Sequence, residues 1–255
     1  RGMVPTKRGE EFLRYAKAIL VQEEQIEALC QQDTGRTLTV SLAAPRASYI
    51  SYGFASFMRQ MTDYPTMKVD YRETNSRDII RGVSGKTFDL GIVRFQSLYV
   101  PYYQKMLQDE NLESQDLWEF SCNLLMSASH PLAERGDLTY LDLSDYVELV
   151  QGDTKAPSFS FEPEDSPSVS GSSRKIISIY DRGSQFELLR QLPGAFMWTS
   201  PVPYDLLNSL ALIQKPCTYP GNLHKDILIY RSGYRMSREE KELVNCLRRL
   251  VSQLS

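Results

Sequence analysis

The chain has 255 residues, a formal net charge of −3, 42% hydrophobic and 24% charged residues, and glycine and proline at 14 and 13. This composition is that of a globular protein and excludes collagen-like and wholly disordered chains. The mild acidic balance excludes a body built to coat polyanions, and no apolar run approaches the roughly 18 residues of a membrane span, so no membrane partner is expected.

The chain begins with Arg1 rather than Met, and its clearest helix follows at once, over residues 7–30. Thr6 stands where an N-cap belongs, and Glu10 and Glu11 occupy the first turn, where carboxylates suit the helix dipole. Phe12, Ala16, Ile19 and Ile26 step by three or four or their sum, a coiled-coil-like seam, while Leu13, Leu20 and Leu29 make a second apolar row. A helix apolar on two sides, with no neighbouring partner in sequence, has to pack on its own body or on a second subunit. Residues 1–17 also hold five basic groups against Glu10 and Glu11, so the acidic balance belongs to the rest of the chain.

The rhythm then changes. Leu38, Val40 and Leu42 alternate with Thr39 and Ser41 as a strand does. A turn at Pro45–Ser48 leads to a helix over Tyr49–Met61, a strand over Met67–Thr74, a helix over Ser76–Ser84 and a buried strand over Phe88–Val93. Strands alternating with helices predict a parallel sheet covered by helices. Next come a helix over Pro101–Asp109, one strand over Leu117–Met126, a turn at His130–Ala133 and a strand over Val147–Val150. Residues 157–173, with seven serines and three prolines, read as an insertion or mobile loop. Strands at Lys175–Tyr180 and Ala195–Trp198 flank a helix over Ser184–Gln191. Ile227–Tyr230 is a strand, and Ser237 caps a closing helix that runs to Leu254, with Arg248 and Arg249 in its last turn.

The residue inventory limits the chemistry. Cys30, Cys122, Cys217 and Cys246 are scattered, no C-x-x-C pair exists, and His130 and His224 stand alone, so neither a metal site nor a cofactor is expected. Scattered cysteines read as reduced thiols of a cytoplasmic protein. Gly85-Lys86-Thr87 resembles the end of a phosphate-binding loop, but the glycine required five positions earlier is Ile80, so it reads as a helix-to-strand turn. No nucleophile elbow and no H-E-x-x-H motif occurs, and nothing indicates an enzyme. What recurs is a strand, a short turn, then a helix start: Pro45-Arg46-Ala47-Ser48, Thr74-Asn75-Ser76 and Asp181-Arg182-Gly183-Ser184. Free N–H groups at such starts hold anionic or polar small molecules. Ser48, Asn75 and Ser184 are also ordinary caps, and the sequence leaves both readings open. Arg94 can lend charge to a shared cleft or sit in an ion pair, and Trp198-Thr199 can wall the cleft or pack a core.

These segments, in order, resemble the LysR-type transcriptional regulators of bacteria. Val4-Pro5-Thr6-Lys7-Arg8-Gly9-Glu10-Glu11-Phe12-Leu13 looks like that family's passage from the wing of a winged helix-turn-helix into its linker helix. Leu38–Leu42, Phe88-Asp89-Leu90-Gly91-Ile92, Ser129-His130-Pro131-Leu132-Ala133 and Leu141–Tyr146 follow in the family's order. The resemblance implies an α/β fold of two lobes, like a type II periplasmic binding protein, behind a linker and dimerisation helix. It divides the chain into a wing remnant at 1–6, the helix at 7–33, lobe I at 34–127 and 224–255, and lobe II at 128–223. It further implies a homodimer or tetramer through Phe12, Ala16, Ile19 and Ile26, and a small-molecule effector between the lobes. Pro45, Arg46, Ala47, Ser48, Thr74, Asn75, Arg94, Arg182, Ser184, Trp198 and Thr199 would face that effector. Operator DNA would be bound only through an N-terminal winged helix-turn-helix missing from this sequence. A solute-binding receptor of a transport system has the same two-lobe fold and is the alternative; it calls for a secretion signal and for no dimer helix.

Overall fold

The computed structural model describes residues 6–30, 37–153, 175–218 and 222–254, with side chains in the first helix described for residues 6, 8–19, 21 and 22. The serine-rich stretch at 157–173 and residues 1–5 lie outside the described residues. Helix α1 (Lys7–Cys30) starts as its sequence predicts, with the Gly9 N–H donating to Thr6 Oγ1 at 3.2 Å. Phe12 and Ile19 are 70% and 64% exposed, Ala16 is half-buried, and the side chain of Ile26 lies outside the described residues.

The alternating residues form β1 (Thr37–Ala44), in which Leu38, Val40 and Leu42 are buried. The chain continues through α2 (Ser48–Gln60), β2 (Thr66–Glu73), α3 (Ser76–Ser84), β3 (Leu90–Gln96), α4 (Val100–Asp109) and β4 (Leu112–Ser121). β5 (Asn123–Ser127) and β6 (Val147–Gln151) precede β7 (Lys175–Ile179), α5 (Arg182–Gln191), β8 (Ala195–Thr199) and α6 (Tyr204–Leu210). β9 (Leu212–Lys215), β10 (Leu223–Arg231) and α7 (Arg238–Leu254) end the chain. Two five-stranded sheets result, ordered β2-β1-β3-β10-β4 and β7-β6-β8-β5-β9. In each sheet three strands run parallel, and the fourth, β10 or β5, is antiparallel and enters directly from the other lobe. The matching topologies are two copies of one architectural plan.

Each sheet is covered on both faces. Leu42, Tyr49, Phe57, Leu90 and Leu247 share a core on one side of sheet I, and Ile79, Val83, Val93 and Ile229 one on the other. Leu124, Met126 and Phe196 pack one face of sheet II, with Leu125, Leu189 and Met197 on the opposite face. Gly91 marks a close approach of three elements: a Cβ there would stand 2.7–2.9 Å from Ile79, Val83 and Ile229. At the start of α7, Ser237 and Glu240 form a reciprocal capping box, N–H to Oε2 at 2.7 Å and N–H to Oγ at 3.1 Å. Among the described residues no helix is long and apolar enough to cross a membrane.

Three expectations are corrected. The single strand over Leu117–Met126 is two strands in different sheets, broken at Cys122, so residues 123–127 stand in the second sheet and not with lobe I. The reason is that no proline or glycine punctuates Leu117–Met126 and apolar residues flank Ser121–Asn123 on both sides, so only the change of hydrogen-bonding partner reveals the crossing. Helix α5 begins at Arg182, capped by Asp181, whose carboxylate accepts the Gly183 N–H; Ser184 is an exposed residue of its first turn. Arg248 and Arg249 stand a turn short of the end of α7, bonded to Gln115 and Glu242.

Candidate functional site

The chain passes between the lobes at Cys122 and at Asn222, and the Asn222 carboxamide staples the two passages. Its Oδ1 accepts the Cys122 N–H at 3.1 Å, and its Nδ2 donates to the Cys122 carbonyl at 2.7 Å. Beside this hinge, Arg94 donates Nε and Nη2 to the two oxygens of Asp226 at 2.8 and 2.7 Å, and the Tyr49 hydroxyl donates to Asp226 at 2.6 Å. Burial works against the Arg94 charge, but Asp226 more than offsets it and raises the guanidinium's pKa. Arg94 is therefore held in a buried ion pair with Asp226.

The cleft itself is built from carboxyl ends of parallel strands, where ligands sit in open α/β sheets. Lobe I supplies the turn after β1 (Pro45–Ala47), the first residue of α2 (Ser48), and Glu73 at the end of β2. Lobe II supplies Gly152 and Asp153 after β6, and Tyr180 to Arg182 after β7. Arg46 reaches from lobe I to lobe II and clasps Asp153 in bidentate fashion, Nη1 and Nη2 donating at 2.8 and 2.9 Å, with a further bond from Nη2 to the Tyr180 carbonyl at 3.2 Å. Arg182 reaches the other way. Its Nη1 donates to Glu73 and to the Ala47 carbonyl, and its Nη2 donates to Ser48 Oγ at 3.0 Å. Two ion pairs of opposite direction thus cross one cleft.

The surrounding groups hold this arrangement. Tyr71 donates to Glu73 at 3.0 Å, and burial with the neighbouring carboxylate raises the phenol's pKa. Helix α2 has no side-chain cap at Ala47, and the Ile50 and Ser51 N–H groups both go to the Ala47 carbonyl. The Arg182 guanidinium consequently lies at the positive end of a helix dipole, a placement that Glu73 neutralises. A Cβ on Gly152 would stand 2.5 Å from the Tyr180 ring, so only glycine allows that ring to lie over the turn. On the flank, Tyr52 reaches Asp205 of lobe II at 3.4 Å. A hollow of about 450 Å³ opens beside the clasp, between Asn75, Arg77, Asp78 and Arg81 of lobe I and Gly152, Asp153 and Tyr180 of lobe II. A smaller one, about 350 Å³, lies away from the cleft between α2 and α7.

The structure brings Arg46, Ala47, Ser48 and Arg182 together, with Pro45 buried behind them. Asn75 is the cap of α3, accepting the Asp78 N–H at 3.0 Å, and Thr74 is tied by its N–H to the Ala44 carbonyl at 2.9 Å. Trp198 is half-buried and packs against cores of both lobes, and Thr199 Oγ1 accepts from Gln214 at 2.6 Å. Sequence reasoning missed Glu73, the last residue of β2 and next to the Thr74-Asn75-Ser76 turn, and Asp153, two positions past the end of β6. The buried thiols of Cys122 and Cys217 are pushed up to about 12 and about 11, chiefly by burial, as suits unreactive cysteines. Gly85-Lys86-Thr87 is the turn after α3, with Lys86 at a φ of 62°.

Two α/β lobes of like topology, joined by two crossings and meeting over charged strand ends, define a two-lobe binding domain of the type II periplasmic-binding-protein plan. Residues 31–155 match the family model of the LysR substrate binding domain. No curated protein matches the sequence. Among solved structures, the chain is similar to a full-length OxyR variant from Pseudomonas aeruginosa, at 14% identity over 95% of this chain and 80% of that one, with a TM-score of 0.57. It is also similar to HinK, a LysR family transcriptional regulator from Pseudomonas aeruginosa, at 15% identity over 98% and 82%, TM-score 0.55. The effector binding domain of QuiR in complex with shikimate aligns at 15% identity over 86% and 99%, TM-score 0.55.

Proposed function

We propose that this chain is the effector-sensing and dimerising part of a LysR-type transcriptional regulator. It works in the cytoplasm, binds a small polar or anionic molecule between its lobes without turning it over, and acts on operator DNA through an N-terminal winged helix-turn-helix. The observation that carries this reading is the pair of arginines, Arg46 and Arg182, brought from opposite lobes to the carboxyl ends of parallel strands. A planar guanidinium is the side chain best suited to bidentate recognition of a carboxylate. A small-molecule effector is in keeping with the shikimate held by the QuiR domain. Change of the angle between lobes is the means by which such a site biases distant heads.

Titration calorimetry with shikimate, malonate and succinate tests it. Arg46→Ala and Arg182→Ala are each expected to lower the affinity for a bound acid by about tenfold or more. Unchanged affinity in both variants would remove the site from between the lobes.

A further inference from the structure

The two cleft arginines are already occupied by carboxylates of the chain itself. Each pair spans the lobes, and the two run in opposite directions, Arg46 to Asp153 and Arg182 to Glu73. All four side chains are largely shielded, at 11% and 26% exposure in the first pair and 17% and 15% in the second. A ligand cannot add itself to this site; it has to replace something. Which partner gives way follows from the anchoring. Each guanidinium holds additional acceptors, the Tyr180 carbonyl for Arg46, and the Ala47 carbonyl and Ser48 hydroxyl for Arg182. Asp153 is the more exposed partner of its pair and borders the open hollow, so it can turn outward into water. That hollow also carries Arg77 and Arg81, two exposed arginines one turn apart on α3 that make no ion pair among the described residues.

Resting on the function proposed above, we infer that Asp153 and Glu73 are internal competitors of the effector and set its class: a molecule with two anionic groups, such as a dicarboxylate. A single anionic group relieves one arginine and leaves the opposite internal pair in place. Two groups replace both carboxylates and keep the lobes bridged through the ligand, while Asp153 turns outward into the hollow and Glu73 stays on the Tyr71 hydroxyl. The clasp is thus a charge filter as well as a tie between lobes.

Neutralising the competitors tests this. Malonate, succinate and glutarate are titrated against acetate, at constant ionic strength, into the unaltered chain and into Glu73→Gln, Asp153→Asn and the double variant. Removing a competing carboxylate is expected to tighten the best diacid by about tenfold to a hundredfold and to admit acetate, which the unaltered chain excludes. Small-angle scattering of the ligand-free double variant is expected to report a larger radius of gyration, with the diacid restoring the compact one. Affinities that are equal or weaker in the neutralised variants overturn the exchange. If Arg46→Ala and Arg182→Ala still abolish binding in that case, the site between the lobes stands and only the competition fails. Failure of every form to bind a diacid also overturns the exchange; the site between the lobes is then judged by titrating shikimate into the double variant, in which no internal carboxylate competes with its single carboxylate. Should the double variant not fold, Glu73→Gln alone carries the test.

Discussion

His224 is fully buried on β10 beside the hinge, its Nδ1 3.1 Å from the Asn222 carbonyl and 3.4 Å from Cys122 Sγ. Burial, partly opposed by that carbonyl and reinforced by Arg94, pushes its pKa down to about 4. The ring therefore stays neutral in the folded chain to about pH 4, whereas in the unfolded chain it takes a proton near pH 6.5. Between those values the unfolded state binds more protons, so stability is lost as the pH falls. Urea unfolding at pH 7 and pH 5 is expected to report a loss of about 2 kcal/mol from this residue, and a His224→Gln variant a correspondingly flatter dependence. An equal dependence in both proteins would assign the acid sensitivity elsewhere. At this scale the sequence located the residue and left its environment open: a lone histidine near a turn carries no sign of the Arg94–Asp226 pair packed against it.

At the scale of elements, periodicity and capping carried most of the information. Helix α1, with Thr6 as cap, and helix α7, with its Ser237–Glu240 box, are read from residues three and four apart. The exposed Phe12 and Ile19 on α1 argue for burial in a dimer, because a helix with such a face gains from pairing. Light scattering of the intact chain at micromolar concentration is expected to give a dimer, and Phe12→Glu with Ile19→Glu a monomer that keeps its helical circular dichroism. A monomer from the unaltered chain would end that reading. The elements that were misjudged share one property: their limits depend on a partner elsewhere. The break at Cys122 follows from a change of sheet, which no proline or glycine within Leu117–Met126 marks. The start of α5 is set by Asp181, a cap hidden among other capping residues.

In the whole molecule, two lobes are tied at the back by Asn222 and at the mouth by the paired arginines. Asn222→Ala removes both side-chain bonds to Cys122; the Cys122 N–H keeps the Asn222 backbone carbonyl at 3.3 Å, but the Cys122 carbonyl is left to find another partner, at a cost of about 1–3 kcal/mol. Its thermal unfolding is expected to broaden or split, since the lobes then lose part of the connection that makes them melt together. A single, equally sharp transition would assign lobe coupling to the mouth alone.

Local order set the strand–helix alternation, the long first helix, the turns that approach the cleft and the absence of a catalytic motif, because each of these is encoded in residues within a few positions of one another. The pairing of Arg46 with Asp153 and of Arg182 with Glu73 joins residues 107 and 109 positions apart. An arginine in a turn carries no local mark of its eventual partner. Only folding two like sheets face to face decided that two of these cations would meet carboxylates across a cleft while Arg94 was buried against Asp226.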